Sequence, residues 1–450
     1  MRSILLAVTV SAVVAVGSSA CGSTSSPAAA VTPPPVDDAG VDAPAPDAAP
    51  PVDNGAPSKT YPAAHPGLPE LVNAAGGTVL ATPKVHLIFY PDYTHKTQIE
   101  TLSQALGTTP YWAATTAEYG VGALGYVDST ELTGETAPAT ITDKAVEAFI
   151  NAKIASRAFG EPDANVVYTI FYPKSTVITL AGGSPLGPSQ SCSSFGGYHS
   201  NTGVVVDGAA KKNYAFAVLP TCAAFAGQGE LDGLTGALSH ELIEAVTDPF
   251  PSTNAGKDAA FSSVDQDHFI WIVLGGGGEN GDLCVSEPNA FYKPPSFDFT
   301  VQRTWSNKLA KASHDPCAPN IPGPAYFNSA PVLSEDVTLD LSLLGGGSTV
   351  TKGVTIPVGK TKVIEIDLFS DAATSGPWTV SAVDTVAKLT KQTPTLEFHW
   401  DRTQGLNGEK LHLTVTVTSA ASLVTGAHPF SITSSLGSTK VSWPGLIVDQ

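Results

Sequence analysis

The sequence predicts two folded units, a mixed α/β domain followed by an all-β sandwich of Ig-like general form. Three observations carry that expectation. Short apolar runs bounded by proline alternate with helical patterns up to about residue 322, the grammar of strands and helices packed in layers. Beyond that point Thr, Val and Leu alternate with period two between glycines, as half-buried strands do. And 450 residues, 42% of them apolar, exceed one typical domain and suffice for two cores.

The chain opens with Met1 and Arg2, an apolar run from Ile4 to Val16, and the small residues Gly17 to Ala20. That charge, length and tail read as a secretory signal, too short for a membrane span. Cys21 follows where the lipid-accepting cysteine of a bacterial lipoprotein stands, although Ser18 occupies a place such signals usually give to Leu. Residues 1–21 are therefore expected to direct export, with Cys21 lipidated and the product an outer-membrane or cell-surface lipoprotein, or else extracellular. Residues 22–58 are mostly Ala, Pro, Asp, Ser and Val, which bury no core, the prolines stiffening the chain and the aspartates repelling one another, so an extended disordered spacer is expected. The α/β domain then spans 59–322 and the sandwich 323–450.

Within the first domain, Lys84 to Tyr90 reads as a buried strand between Pro83 and Pro91. Helical patterns follow at Lys96 to Leu106, at Tyr111 to Tyr119, and at Thr142 to Ser156, where Val146, Phe149, Ile150 and Ile154 share a face. Asn165 to Tyr172 is a second buried strand, with shorter ones at Gly203 to Val206 and Tyr214 to Leu219. The next helix runs from about Glu230 to Thr247 and is closed by Pro249. Leu231, Leu234, Leu238, Leu242 and Val246 form its apolar stripe, which leaves His240 and Glu244 on the opposite side, free to line a cleft. A glycine-rich loop at Gly275 to Gly278 and a strand from Phe299 to Trp305 close the domain. In the sandwich, Val337 to Leu343, Thr361 to Leu368, Thr395 to Trp400 and Lys410 to Val417 read as strands, with no helical stretch among them.

Apart from Cys21 the cysteines number four, an even count suited to two disulfides in an oxidising compartment. Sequence order favours Cys192 with Cys222 and Cys284 with Cys317. No C-x-x-C pair exists, which argues against a zinc knuckle. Acidic residues outnumber basic ones 41 to 23, and no Lys/Arg cluster stands out. A nucleic-acid or anionic-membrane partner needs a basic footprint, so both are excluded, and membrane contact is expected only through the lipid anchor.

The chemistry concentrates on His240-Glu241-x-x-Glu244, the H-E-x-x-H zinc-hydrolase spacing with Glu in the last place. Side chains four apart on a helix lie about 5 to 6 Å apart at Cβ, so His240 and Glu244 can share one Zn²⁺ while Glu241 takes a proton from water as general base. That expectation makes the first domain zincin-like. A third ligand is needed, and Glu279 leads, ahead of Asp282, His199 and Asp248. Asp248 sits two turns from His240, roughly 12 Å along an ideal axis, which suits a turn at Pro249 better than a shared ion. Against this stands the bland reading, since His and Glu are ordinary on solvated helix faces. Asp265 and Asp267 fit no EF-hand spacing, and Ser239 lacks the G-x-S-x-G of a nucleophile elbow.

Several blocks together resemble the exordium, or phosphate-induced protein, family of plants and its secreted bacterial relatives. They are Val85 to Tyr90, Tyr111 and Trp112 with Tyr119, Cys192 to Ser200, Tyr214 to Phe225, His240 to Pro249, Glu279 to Cys284, and Val301 to Ser306 leading to Cys317. The resemblance covers the first domain in order and leaves out the spacer and the sandwich. It implies a secreted or cell-surface protein linked in plants to cell-wall growth, without an established reaction. Plant members often lack the histidine matching His240, so the fold does not require it. Two functions are thus expected in competition. One is an exported zincin-like metallopeptidase acting on a peptide, protein or cell-wall substrate; the other is a non-enzymatic surface module whose metal site is degenerate or structural.

Overall fold

Residue Val167 points to one face of the first sheet and Tyr168 to the other, and both are fully enclosed, because this sheet carries helices on each side. The computed structural model describes residues 53–184, 187–275, 277–341, 347–421 and 426–449. The signal segment, Cys21 and the spacer up to residue 52 lie outside the described residues. Strand outweighs helix over the molecule, which is built from several sheets.

The first sheet uses β1 (Lys84–Phe89), β2 (Gly125–Glu131), β3 (Val166–Tyr172), β4 (Tyr198–Val204) and β5 (Lys212–Pro220), in the order β2-β1-β3-β5-β4. All neighbours run parallel except β4, which is antiparallel to β5 and forms one edge. β3 is buried along its whole length, and its sequence is accordingly continuous Val, Ile, Phe and Tyr with one Thr. Val85, Leu87, Phe89, Val167, Phe171, Ala217 and Leu219 face α1 (Lys96–Leu106), α2 (Pro110–Thr116) and α4 (Glu230–Thr247). Ile88, Tyr168, Ile170, Phe216 and Val218 face Val146, Ile150 and Ile154 of α3 (Asp143–Ala155). Thr142 caps α3 by accepting from the Ala145 amide, and Thr109 caps α2 by accepting from Trp112 N.

Two expectations within this region are corrected. From Gly233 to Thr247 every residue of α4 is buried, so its polar side faces protein rather than an open cleft. The segment Phe299 to Trp305 is not one strand: Val301–Gln302 pairs with Phe291–Tyr292, and Thr304–Trp305 pairs with Cys317–Ala318. Arg303 breaks the ladder between them. Its guanidinium is buried on Asp315 and on the carbonyls of Cys317 and Pro319, which a straight strand would not reach.

The C-terminal part is a sandwich of two sheets. One orders β6 (Phe327–Pro331), β9 (Thr361–Ser370), β13 (Lys410–Val417) and β11 (Leu396–Trp400) as β6-β9-β13-β11. The other uses β7 (Glu335–Asp340), β8 (Ser348–Thr355), β10 (Trp378–Asp384), β12 (Gln404–Gly405), β14 (Ala427–Leu436) and β15 (Thr439–Val448), ordered β7-β8-β15-β14-β10-β12. Ile364, Ile366 and Leu368 of one sheet meet Trp378, Phe430, Ile432 and Trp443 of the other. Contrary to the helix-free expectation, Thr385–Thr390 is a short helix, started by Asp384, whose side chain accepts from Ala387 N.

Residues from Asn54 onward make one compact unit. Trp271 lies edge-on to Trp305 of the first part and to Trp443 of the sandwich, at centroid distances of 5.9 and 5.3 Å. Asn54 to Ser58, assigned by composition to the spacer, are tied to the sandwich: the Asn54 carbonyl accepts from Lys410 N, and Ser58 N donates to the Asn407 carbonyl.

Candidate metal centre

Four pieces of chain meet at the polar side of α4. The helix supplies His240, Glu241 and Glu244; β4 supplies His199; the turn after the glycine-rich loop supplies Glu279 and Asp282; and Val301–Gln302 supplies Gln302. The ionisable side chains among them are 0 to 2% exposed. His240 Nε2 is 3.0 Å from Glu244 Oε2 and 3.8 Å from Asp282 Oδ1. His199 Nδ1 is 3.6 Å from both Glu241 Oε2 and Glu244 Oε2, while its Nε2 is 3.4 Å from Glu279 Oε1.

Local chemistry explains how the groups come so close. His240 and Glu244 are one helical turn apart. The strand carrying His199 is pinned by the Cys192–Cys222 disulfide, which joins the loop before β4 to the end of β5. The turn carrying Glu279 and Asp282 is pinned by Cys284–Cys317. Both pairings are those that sequence order favours, and they indicate an oxidising, exported setting. Gly281 permits the last approach: a Cβ there would sit 2.4 Å from His240 Nδ1 and 2.8 Å from Glu244 Oε1. Gly197 does the same for Glu241, whose Oε1 would lie 2.8 Å from a Cβ.

Gln302 sets the histidine. Its amide nitrogen donates to the Gly281 carbonyl at 2.8 Å, so its oxygen faces His240 Nδ1 at 3.1 Å. In a neutral ring that arrangement would put the proton on Nδ1 and leave Nε2 facing the carboxylates, the orientation a metal ligand needs. Gln302 is itself held by Ser239, whose hydroxyl accepts from Gln302 N, and by the Tyr111 hydroxyl, which donates to its carbonyl.

Electrostatics are severe in so enclosed a space. Burial alone would push the His240 imidazole down, but Glu244, with Glu241 and Asp282, overrides it and raises it to about 10. Burial likewise works against charge on His199, and Glu279, Glu241 and Glu244 outweigh it, holding the ring well above the usual histidine range. Burial raises Glu279, Asp282 and Glu241. Glu244 alone is held low, because His240 and His199 overcome the effect of burial.

Several atoms here lack any hydrogen-bond partner: His199 Nδ1 and Nε2, His240 Nε2, both oxygens of Glu279, and Asp282 Oδ2. Buried polar atoms are normally satisfied. Convergent orphaned lone pairs on nitrogen and carboxylate oxygen fit a bound cation. Two groups have ligand atoms all within 4.8 Å of one another, His199 with Glu244 and Glu279, and His240 with Glu241 and Glu244.

Each sequence-derived candidate has a definite place. Glu279 reaches His199 and Glu244, whereas the nearer neighbour of His240 from that turn is Asp282. Asp248 is used locally, its Oδ1 accepting from Ala260 N at 2.8 Å. Gln302 and Asn280 were not singled out from sequence; the Asn280 amide is buried with both polar atoms unpartnered. Gln302 lay in a block shared with the resembling family, but no motif marked its role. Asp265 accepts from Glu70 N at 2.7 Å and pairs with His268.

No family model and no curated protein matches the chain. Among solved structures, domains 4 and 5 of the S-layer protein SbsC are similar over 26% of this chain and 53% of that one, at 16% identity and a TM-score of 0.16. The titin M3 domain is similar over 21% of this chain and 85% of that one, at 12% identity and a TM-score of 0.15. A beta-glucosidase from Listeria innocua covers 85% of this chain and 48% of its own, at 9% identity and a TM-score of 0.14. The chain thus spans about half the length of the S-layer fragment. Likenesses this slight carry no functional argument.

Proposed function

We propose that the protein is an exported, zincin-like metallohydrolase that cleaves peptide bonds, with Zn²⁺ held by His240 and Glu244 and an acidic residue of the turn that carries Glu279, and with Glu241 as general base. The observation that carries the reading is the set of orphaned, buried lone pairs converging beside Glu241. Bonds of about 2.0 to 2.1 Å in a tetrahedral zinc site imply ligand–ligand edges of roughly 3.3 Å. The His240–Glu244 separation of 3.0 Å is close to that length. Bound there, the ion would supply Lewis-acid chemistry at a carbonyl.

The chain's own groups do the rest. Glu241 takes the proton of the attacking water at its carboxylate, and its raised proton affinity, caused by burial, suits a base working near neutral pH. Gln302 keeps His240 in the ligating orientation. Metal analysis and a peptide-hydrolysis assay on the full chain and on Glu241→Gln test the reading. Retained zinc with hydrolysis reduced about 100-fold or more supports it; absence of metal from protein purified without chelator sinks it.

A second reading is favoured by one observation, the near-complete enclosure of every ionisable group in the centre. A closed site suits a structural ion, and the protein would then be an exordium-like surface or cell-wall interaction module. Zinc loss that lowers the melting temperature, with no hydrolysis before or after, would select this reading. For localisation we propose acylation at Cys21, which mass spectrometry of the N-terminal peptide tests; an unacylated peptide refutes it.

A further inference from the structure

We infer that the centre is built for two divalent cations bridged by Glu244, rather than for one. The inference rests on the metal-centre reading above, though not on the reaction assigned to it. Glu244 is the one residue common to the two ligand groups, and the two histidines fall in different groups. His240 and Glu241 form one group with it, with Asp282 3.8 Å from His240, and His199 and Glu279 form the other, His199 also lying 3.6 Å from Glu241. Glu244 Oε2 faces both imidazoles, at 3.0 Å from His240 and 3.6 Å from His199.

A single tetrahedral ion has four positions to fill. The unpartnered buried atoms of His199, His240, Glu279 and Asp282, together with Glu244 Oε2, exceed that number, and they are split between the two sides. Charge points the same way. Glu241, Glu244, Glu279 and Asp282 are all buried, and every ion pair they make among the described residues is with His199 or His240. No lysine or arginine among the described residues pairs with them. Divalent cations would offset these buried carboxylates. Shared carboxylate bridges with ions about 3.5 to 4 Å apart are an ordinary arrangement for such pairs.

The test is metal stoichiometry on the full chain, stripped with chelator and reloaded with Zn²⁺ alone. Two equivalents are expected for the wild type, and one for both Glu279→Gln and His199→Ala, with near-ultraviolet circular dichroism confirming that each variant is folded. If neither variant folds, the wild type reloaded with Mn²⁺ decides: a spin-coupled pair in its electron paramagnetic resonance spectrum supports the inference, and isolated-ion signals at full loading overturn it. One equivalent in the wild type overturns the pair and leaves the single-ion centre standing. No bound metal removes both readings. Two equivalents retained by both variants overturn the assignment of the second position.

Discussion

The Nδ1 of His240 lies 3.1 Å from the Oε1 of Gln302, a residue 62 positions later in the chain. The contact is directional, because the amide nitrogen of Gln302 is already committed to the Gly281 carbonyl. It follows that Gln302 governs the ring orientation of His240, the first of the proposed metal ligands. Replacing a partner of this kind typically costs 10- to 100-fold in metal affinity. Gln302→Leu is expected to weaken zinc binding by about that factor in a competition titration. Equal affinities for the wild type and the Leu variant would remove this role.

Gly281 is expected to tolerate no side chain. The added Cβ of Gly281→Ala would overlap His240 Nδ1 and Glu244 Oε1, and overpacking of a tight interior costs typically 1–3 kcal/mol. Chemical denaturation should show a loss of about that size, together with weaker metal binding. Gly67→Ala, where no atom lies within 4 Å of the added group, is the control and should leave both unchanged.

Each disulfide pins one segment of the candidate metal centre. The bridged residues are 30 and 33 positions apart, and closing a loop of that size stabilises by about 3–4 kcal/mol through the unfolded chain. Cys192→Ser with Cys222→Ser should therefore lower stability by a comparable amount and also loosen β4 and His199. The expected signature is a larger loss of metal affinity than a denaturant midpoint alone accounts for, seen by repeating the zinc titration well below the transition. Unchanged affinity would show that β4 holds His199 without the bridge.

Asp265 gives the stability an acid limb. Burial opposes its charge, but His268 and the amides of Glu70 and His268 outweigh burial and hold the carboxyl below its ordinary value. A depressed carboxyl contributes above the unfolded pKa, and the contribution disappears as pH falls through the folded one. The melting temperature of the wild type should accordingly drop more steeply below about pH 4 than that of Asp265→Asn. Parallel curves for the two proteins would exclude the contribution.

How much of this was legible beforehand follows from the range of each interaction. α4 occupies the residues its periodicity indicated, because i to i+4 packing and the break at Pro249 are local. β3 was readable for a related reason: a strand covered on both faces needs side chains that are apolar on both. The split of Phe299 to Trp305 was not readable, since it depends on Arg303 finding Asp315 and two carbonyls across a turn. The helix in the sandwich was missed because six residues carry too little period to register.

The sequence by itself determined that His240, Glu241 and Glu244 share a stretch of helix, that four cysteines are suited to two bridges, and that the chain carries no basic footprint. Tertiary structure alone decided that the polar side of α4 is enclosed, that His199 and Glu279 face Glu244 while Asp282 faces His240, and that Gln302 orients the ring. Residues one turn apart meet through the geometry of a single helix. Those from β4, from the turn after the glycine-rich loop and from Val301–Gln302 meet only because the reversal of β4, the two disulfides and the tight approach at Gly281 bring four distant segments to one point.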